Sequence, residues 1–145
     1  MTGEPSRLRG QSILSTGTSS QPVVGDHWTL SSAGCEQILS MERRSDWDGE
    51  GAREITRDAC KAAILFAQLA ASRSLRAPDS IGPSTSGAIG FTWKSRAEQI
   101  NVQVFSLAEH GCLVRRAGTV RSKSECSISE AIDSLDSFLA LDRGQ

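Results

Sequence analysis

Three carboxylates, two glycines and a tryptophan fall within seven residues at Asp46-Trp47-Asp48-Gly49-Glu50-Gly51-Ala52. Carboxylates at alternate positions of a glycine-containing loop suit a divalent cation, because Ca²⁺ and Mg²⁺ are held by hard oxygen donors. Aligned on a helix–loop–helix calcium loop that begins at Asp46, the first, third and fifth positions are Asp46, Asp48 and Glu50, and the sixth is Gly51. The eighth position, apolar in such loops, is Arg53. The twelfth, which should supply a bidentate glutamate, is Arg57. A cation there opposes calcium directly. The same residues also suit a sharp turn between helices: glycine reaches positive φ without penalty, and an aspartate side chain can accept nearby backbone amides. Two roles therefore compete for this stretch. The residues favour a structural turn made by Trp47, Asp48, Gly49 and Gly51 over a metal site made by Asp46, Asp48 and Glu50. The turn predicts that Asp48 bonds amides near the start of the next helix and that Trp47 packs inward.

A second group, Arg115, Arg116, Arg121 and Lys123, places four cations within nine residues. They can neutralise a few phosphates and give salt-dependent nucleic-acid binding. No recognition helix or stacking motif accompanies them, since Phe91 and Trp93 alternate on the face assigned to the core. A solvated strand-end face is the competing reading. Nucleophilic catalysis finds little support. There is no G-x-S-x-G, and the chain has two histidines, His27 and His110. Cys35, Cys60, Cys112 and Cys126 are widely spaced with no C-x-x-C pair, and zinc sites normally show a close pair of ligands. The glycines between Gly82 and Gly90 lack the strand–loop–helix setting and lysine of a phosphate loop. These residues assign no catalytic group and no cofactor.

The chain has 145 residues, 16 of them basic and 17 acidic, for a net charge of −1. That length fits one domain with a modest core. The charge balance provides no global field to recruit nucleic acid or an anionic membrane. No apolar run approaches the ~20 residues that span a bilayer, and no apolar segment follows Met1 as a secretory signal requires. A cytoplasmic location follows, with its cysteines reduced.

Positioning these groups requires elements. Residues 1–27 are rich in Ser, Thr, Gly, Gln and Pro and read as a disordered tail. Residues 28–145 read as a single α+β domain. A first helix capped at Ser31 or Ser32 carries Cys35, Ile38 and Leu39 inward and ends with Arg43-Arg44 in its last turn. A second helix over 56–75 takes Thr56 as its N-cap and, being alanine-rich and apolar around most of its girth, forms the spine of the core. Residues 78–87 read as a connecting loop. Three strands follow by alternation: Ile89, Phe91, Trp93; then Ile100, Val102, Val104; then Cys112 and Val114. Residues 118–125 read as polar connection. Ser127 and Glu130 form a capping box ahead of a C-terminal helix with a stripe of Ile128, Ile132, Leu135, Phe138 and Leu139. The expected order is helix-helix-strand-strand-strand-helix, a three-stranded antiparallel meander with helices packed on one face.

Trp47-Asp48-Gly49-x-Gly51-Ala52, the alanine/leucine-rich helix after it and Gly87-Ala88-Ile89-Gly90-Phe91-Thr92-Trp93 resemble a pattern carried by many small bacterial proteins with no established activity. Those proteins have a W-D-G-x-G-A turn, a helix, a proline-containing loop and a G-x-I/V-x-L/F-x-W strand. Thr92 stands where an acidic residue is common. The resemblance covers roughly residues 45–115 and implies a shared fold unit and a bacterial origin, but no catalytic residue. The absence of catalytic signals, together with the edges and the face that a three-stranded sheet leaves open, leads to the expectation of a non-catalytic interaction protein of accessory, antitoxin-like or chaperone-like type, with a protein partner or self-association. Nucleic-acid binding through the basic set and divalent-metal chemistry at the acidic loop are the alternatives.

Overall fold

Thr56 leaves the chain in an extended conformation, and its hydroxyl accepts the Ala59 amide at 3.1 Å. This closes one of the orphan donors at the start of the helix Arg57–Ser72, α2, where Asp58 also complements the dipole. In the computed structural model, which describes residues 32–119 and 121–143, α2 is the central helix. It ends three residues earlier than its apolar pattern predicts. Ser74 adopts φ 58°, the Ser74 amide bonds Ala71 O at 2.9 Å, and the Leu75 amide bonds Ala70 O at 3.1 Å. Those two bonds form a left-handed helix cap that satisfies the last carbonyls and turns Leu75 back into the core.

The first helix, α1, spans Ser32–Leu39 and stops short of Arg43-Arg44, which therefore do not occupy its last turn. Arg43 instead exchanges backbone hydrogen bonds with Ile55, at 3.0 and 2.8 Å, in an isolated antiparallel bridge. Pairing over this distance requires extended backbone at Arg43, so the helix must end first. The proposed tail, His27 and the Ser31 cap lie outside the described residues.

Five strands, not three, form the sheet: β1 Ser80–Pro83, β2 Ile89–Ser95, β3 Glu98–Val104, β4 Cys112–Ala117 and β5 Ser122–Cys126. They lie in chain order and every neighbouring pair is antiparallel, so the meander is right in kind but two strands wider than expected. The order is helix, helix, five strands, helix. The extra strands are the two edges. Pro83 closes β1, and a proline, lacking an amide hydrogen, is tolerated at a sheet edge. In β5 only Cys126 is buried. Neither edge carries the apolar alternation by which a strand is recognised.

The C-terminal helix, α3, spans Ile128–Arg143 and begins at the expected capping box: Ser127 Oγ accepts the Glu130 amide at 3.2 Å, and Glu130 Oε1 accepts the Ser127 amide at 3.0 Å. Helices α2 and α3 cover one face of the sheet, while α1 packs beside α2. At the centre, Phe66 from α2 meets Phe91 and Trp93 from β2, with ring centroids 4.9 and 6.3 Å apart. The Trp93 indole reaches Arg76 O at 2.8 Å, so its polar end is satisfied inside an apolar core. Among the described residues no helix is long and apolar enough to cross a membrane.

Candidate functional site

The acidic stretch is a closed turn. Asp46, Gly49 and Gly51 adopt φ 58°, 77° and 88°. The Asp46 amide bonds Ala52 O, and Asp46 Oδ1 accepts the Gly51 amide at 2.7 Å. Asp48 Oδ1 accepts two amides, Glu50 at 2.8 Å and Ala52 at 3.1 Å. Trp47 is half-buried against the core and donates its indole hydrogen to Arg53 O at 3.0 Å. Asp48 thus bonds amides of the loop itself, ahead of the start of α2 at Arg57, and Trp47 is turned toward the core. The loop is tied to the sheet as well, because the Arg53 amide bonds Thr85 O at 2.8 Å. Asp46 and Asp48 thus each direct an oxygen at the loop's own backbone. Among the described residues no three His, Cys, Asp or Glu side chains gather as a metal-ligand set.

The basic residues divide between two faces of the sheet. Arg116 pairs with the buried Ile100, and its guanidinium lies 5.1 Å from the centre of the Phe138 ring, on the helix-covered side. This is a cation–π contact that holds the stem against apolar surface. Arg115 and Lys123 point the other way. Ser80, Thr92, Asn101, Arg115 and Lys123 are successive register partners in one row across all five strands. The row changes from small hydroxyls at β1, through an amide at β3, to two directly opposed cations at β4 and β5. Among the described residues no carboxylate pairs with Arg115, Arg121 or Lys123.

Among the described residues no helix covers this face. A shallow hollow of about 850 Å³ lies over it, floored by Gln99, Asn101 and Gln103 and walled by Arg115, Arg121 and Lys123, with its rim at Arg116. A second hollow, about 350 Å³, continues toward β1 over Gly82 and Gly90. These two glycines are register partners and offer no side chains. The amides are the functional candidates that the basic pattern alone misses. Their signal was present in β3, where they are the polar half of the Ile100-Val102-Val104 alternation. Two of the three floor amides are partly engaged: Asn101 Nδ2 donates to Thr92 Oγ1 at 2.9 Å, and Gln103 Oε1 accepts the Ser86 hydroxyl at 3.0 Å.

The remaining reactive groups are arranged for packing. Ser84 and Ser86 bond each other at 2.7 Å, and among the described residues neither reaches an imidazole or carboxylate that could act as a base. All four cysteines are free thiols. Cys112 and Cys126 are register partners on the covered face. Burial, with a smaller contribution from Cys126, pushes the Cys112 thiol up to about 12, and burial also raises Cys126 and Cys60. Such thiols stay protonated and are poor nucleophiles. Glu98 is half-buried and held below the usual carboxylate range, chiefly because it accepts the Thr119 amide at 3.0 Å. No protein-family model, curated protein or solved structure matches the chain.

Proposed function

We propose that this is a small non-catalytic binding protein that docks a protein partner on the uncovered face of its five-stranded sheet. One observation carries the reading: Arg115 and Lys123 stand directly opposite each other, and among the described residues neither forms an ion pair, although Glu125 lies next along the same face of β5. Like charges in that position work against the sheet. A partner that supplies negative charge turns this repulsion into binding energy and electrostatic steering. The resemblance to small bacterial proteins with a W-D-G-x-G-A turn fits the same reading, since the turn seats the spine helix and leaves the far face of the sheet free. Nucleic-acid binding is the second reading, favoured by the shared orientation of Arg115, Arg121 and Lys123 around one hollow.

The experiment is affinity capture from native cells with the intact chain and with the Arg115→Ala/Lys123→Ala double variant, followed by identification of what is retained. Retention of a defined protein by the parent chain and its loss from the variant is the expected result. A capture profile unchanged by the double substitution would remove the open face from any role in binding.

A further inference from the structure

Resting on that reading, we infer that the occupant of the open face is an extended protein segment with acidic side chains at alternate positions. The cations set the charge. Arg121 and Lys123 are two residues apart along the β5 end of the chain, and Arg115 faces Lys123 across the β4–β5 pairing. Alternate residues of an extended chain repeat every ~6.7 Å, so a partner strand with carboxylates at i and i+2 matches the spacing of Lys123 and Arg121. Arg115 adds a planar fork suited to bidentate carboxylate recognition.

The amides specify a polypeptide. Asn101 spends its NH₂ on Thr92 Oγ1 and keeps its carbonyl oxygen as an acceptor. Gln103 spends its carbonyl on Ser86 and keeps its NH₂ as a donor. Two residues apart on β3, they offer one acceptor and one donor on the floor of the same hollow. An extended peptide presents both N–H and C=O groups to meet them, whereas a phosphodiester backbone has acceptors only. Numbers point the same way. Duplex-binding proteins commonly contact about six to ten phosphates, and among the described residues this face offers four cations, Lys94, Arg115, Arg121 and Lys123, with Glu125 among them, on a chain of net charge −1. Among the described residues no aromatic side chain lines the hollow to stack a base.

The test is fluorescence anisotropy with the full chain and three labelled ten-residue probes: an alternating Glu/Thr peptide, a peptide of the same composition with its glutamates in one block, and an oligothymidylate. The alternating peptide should bind saturably, at least threefold tighter than the block peptide. Its binding should weaken at least tenfold in Arg115→Ala/Lys123→Ala, whose fold is checked by circular dichroism. Absence of saturable binding by the alternating peptide, equal binding by the double variant, or tighter binding of the oligonucleotide would each overturn the inference. The two proposals separate cleanly. If cellular capture depends on Arg115 and Lys123 while the acidic peptide fails to bind, the docking face stands and its acidic occupant falls. If capture ignores those residues, the docking face itself falls.

Discussion

Arg115 and Lys123 are direct cross-strand partners in β4 and β5, two cations held side by side on a face that no helix covers among the described residues. Like charges so placed oppose the pairing by ~0.2–1 kcal/mol, and an opposite pair favours it by a similar amount. Arg115→Glu should therefore stabilise the domain by about 1 kcal/mol while abolishing partner capture. Urea unfolding measures the first effect, and a variant no more stable than the parent would show that the two cations do not repel appreciably. Added salt should narrow the gap between the two proteins, because it screens exposed charges.

Asp48 carries the turn by accepting two amides with one oxygen. Asp48→Ala leaves both donors without that acceptor and should cost about 1–3 kcal/mol. Asp48→Asn retains a carbonyl oxygen and should cost less. Equal stability of the alanine variant and the parent would mean that the turn is held by its glycines and Trp47 alone. A calcium-induced rise in melting temperature that Asp48→Asn abolishes would restore the cation role for Asp46, Asp48 and Glu50.

Gly87 lies at φ 97°, and a Cβ there would stand 2.9 Å from Glu54 O, in the segment that joins the turn to α2. Both the backbone strain and the contact with a carbonyl oxygen penalise a side chain, so Gly87→Ala should cost about 1–3 kcal/mol or more. Thermal unfolding checks this. Tolerance of alanine would mean that the turn can slide away from the β1–β2 connection.

Ser74 occupies the left-handed position of the α2 cap, where glycine is the usual residue. Ser74→Gly removes the Cβ strain and should stabilise the domain by about 1 kcal/mol, because the hydrogen bonds of the cap belong to the backbone. Loss of stability in urea would show that Ser74 contributes more through its side chain than its conformation costs.

Cys112, raised to about 12, and the raised Cys126 and Cys60 make stability fall in alkali. Below pH ~8 these thiols are protonated in both states and their contribution is fully present. As pH climbs past the unfolded value of about 8.5, the unfolded chain releases protons that the folded chain keeps. Stability then declines, by up to ~1.4 kcal/mol per pH unit per thiol, until pH passes the folded value. The chain contains no tyrosine to titrate in the same window. Urea midpoints at pH 8, 9 and 10 should drop, with a shallower slope in Cys112→Ala. Parallel slopes in parent and variant would exclude Cys112 as a cause.

The sequence by itself determined what depends on neighbours a few residues away. Thr56, the Ser127–Glu130 capping box and the Asp48 turn are closed by bonds of that range, so residue type and spacing suffice to read them. The apolar alternations of β2, β3 and β4 were legible too, because a strand with one buried face must repeat every second residue. Tertiary pairing decided the rest. β1 contributes a single buried isoleucine, Ile81, before a proline, and β5 a single buried cysteine, so their strand character comes from the ladders beside them rather than from their own pattern. The end of α1 was likewise set by a partner twelve residues away, Ile55. For the basic set, composition placed four cations together, but register alone sent Arg116 onto Phe138 and aligned Arg115 with Lys123 on the open side. A shift of one residue in that pairing would exchange the two faces.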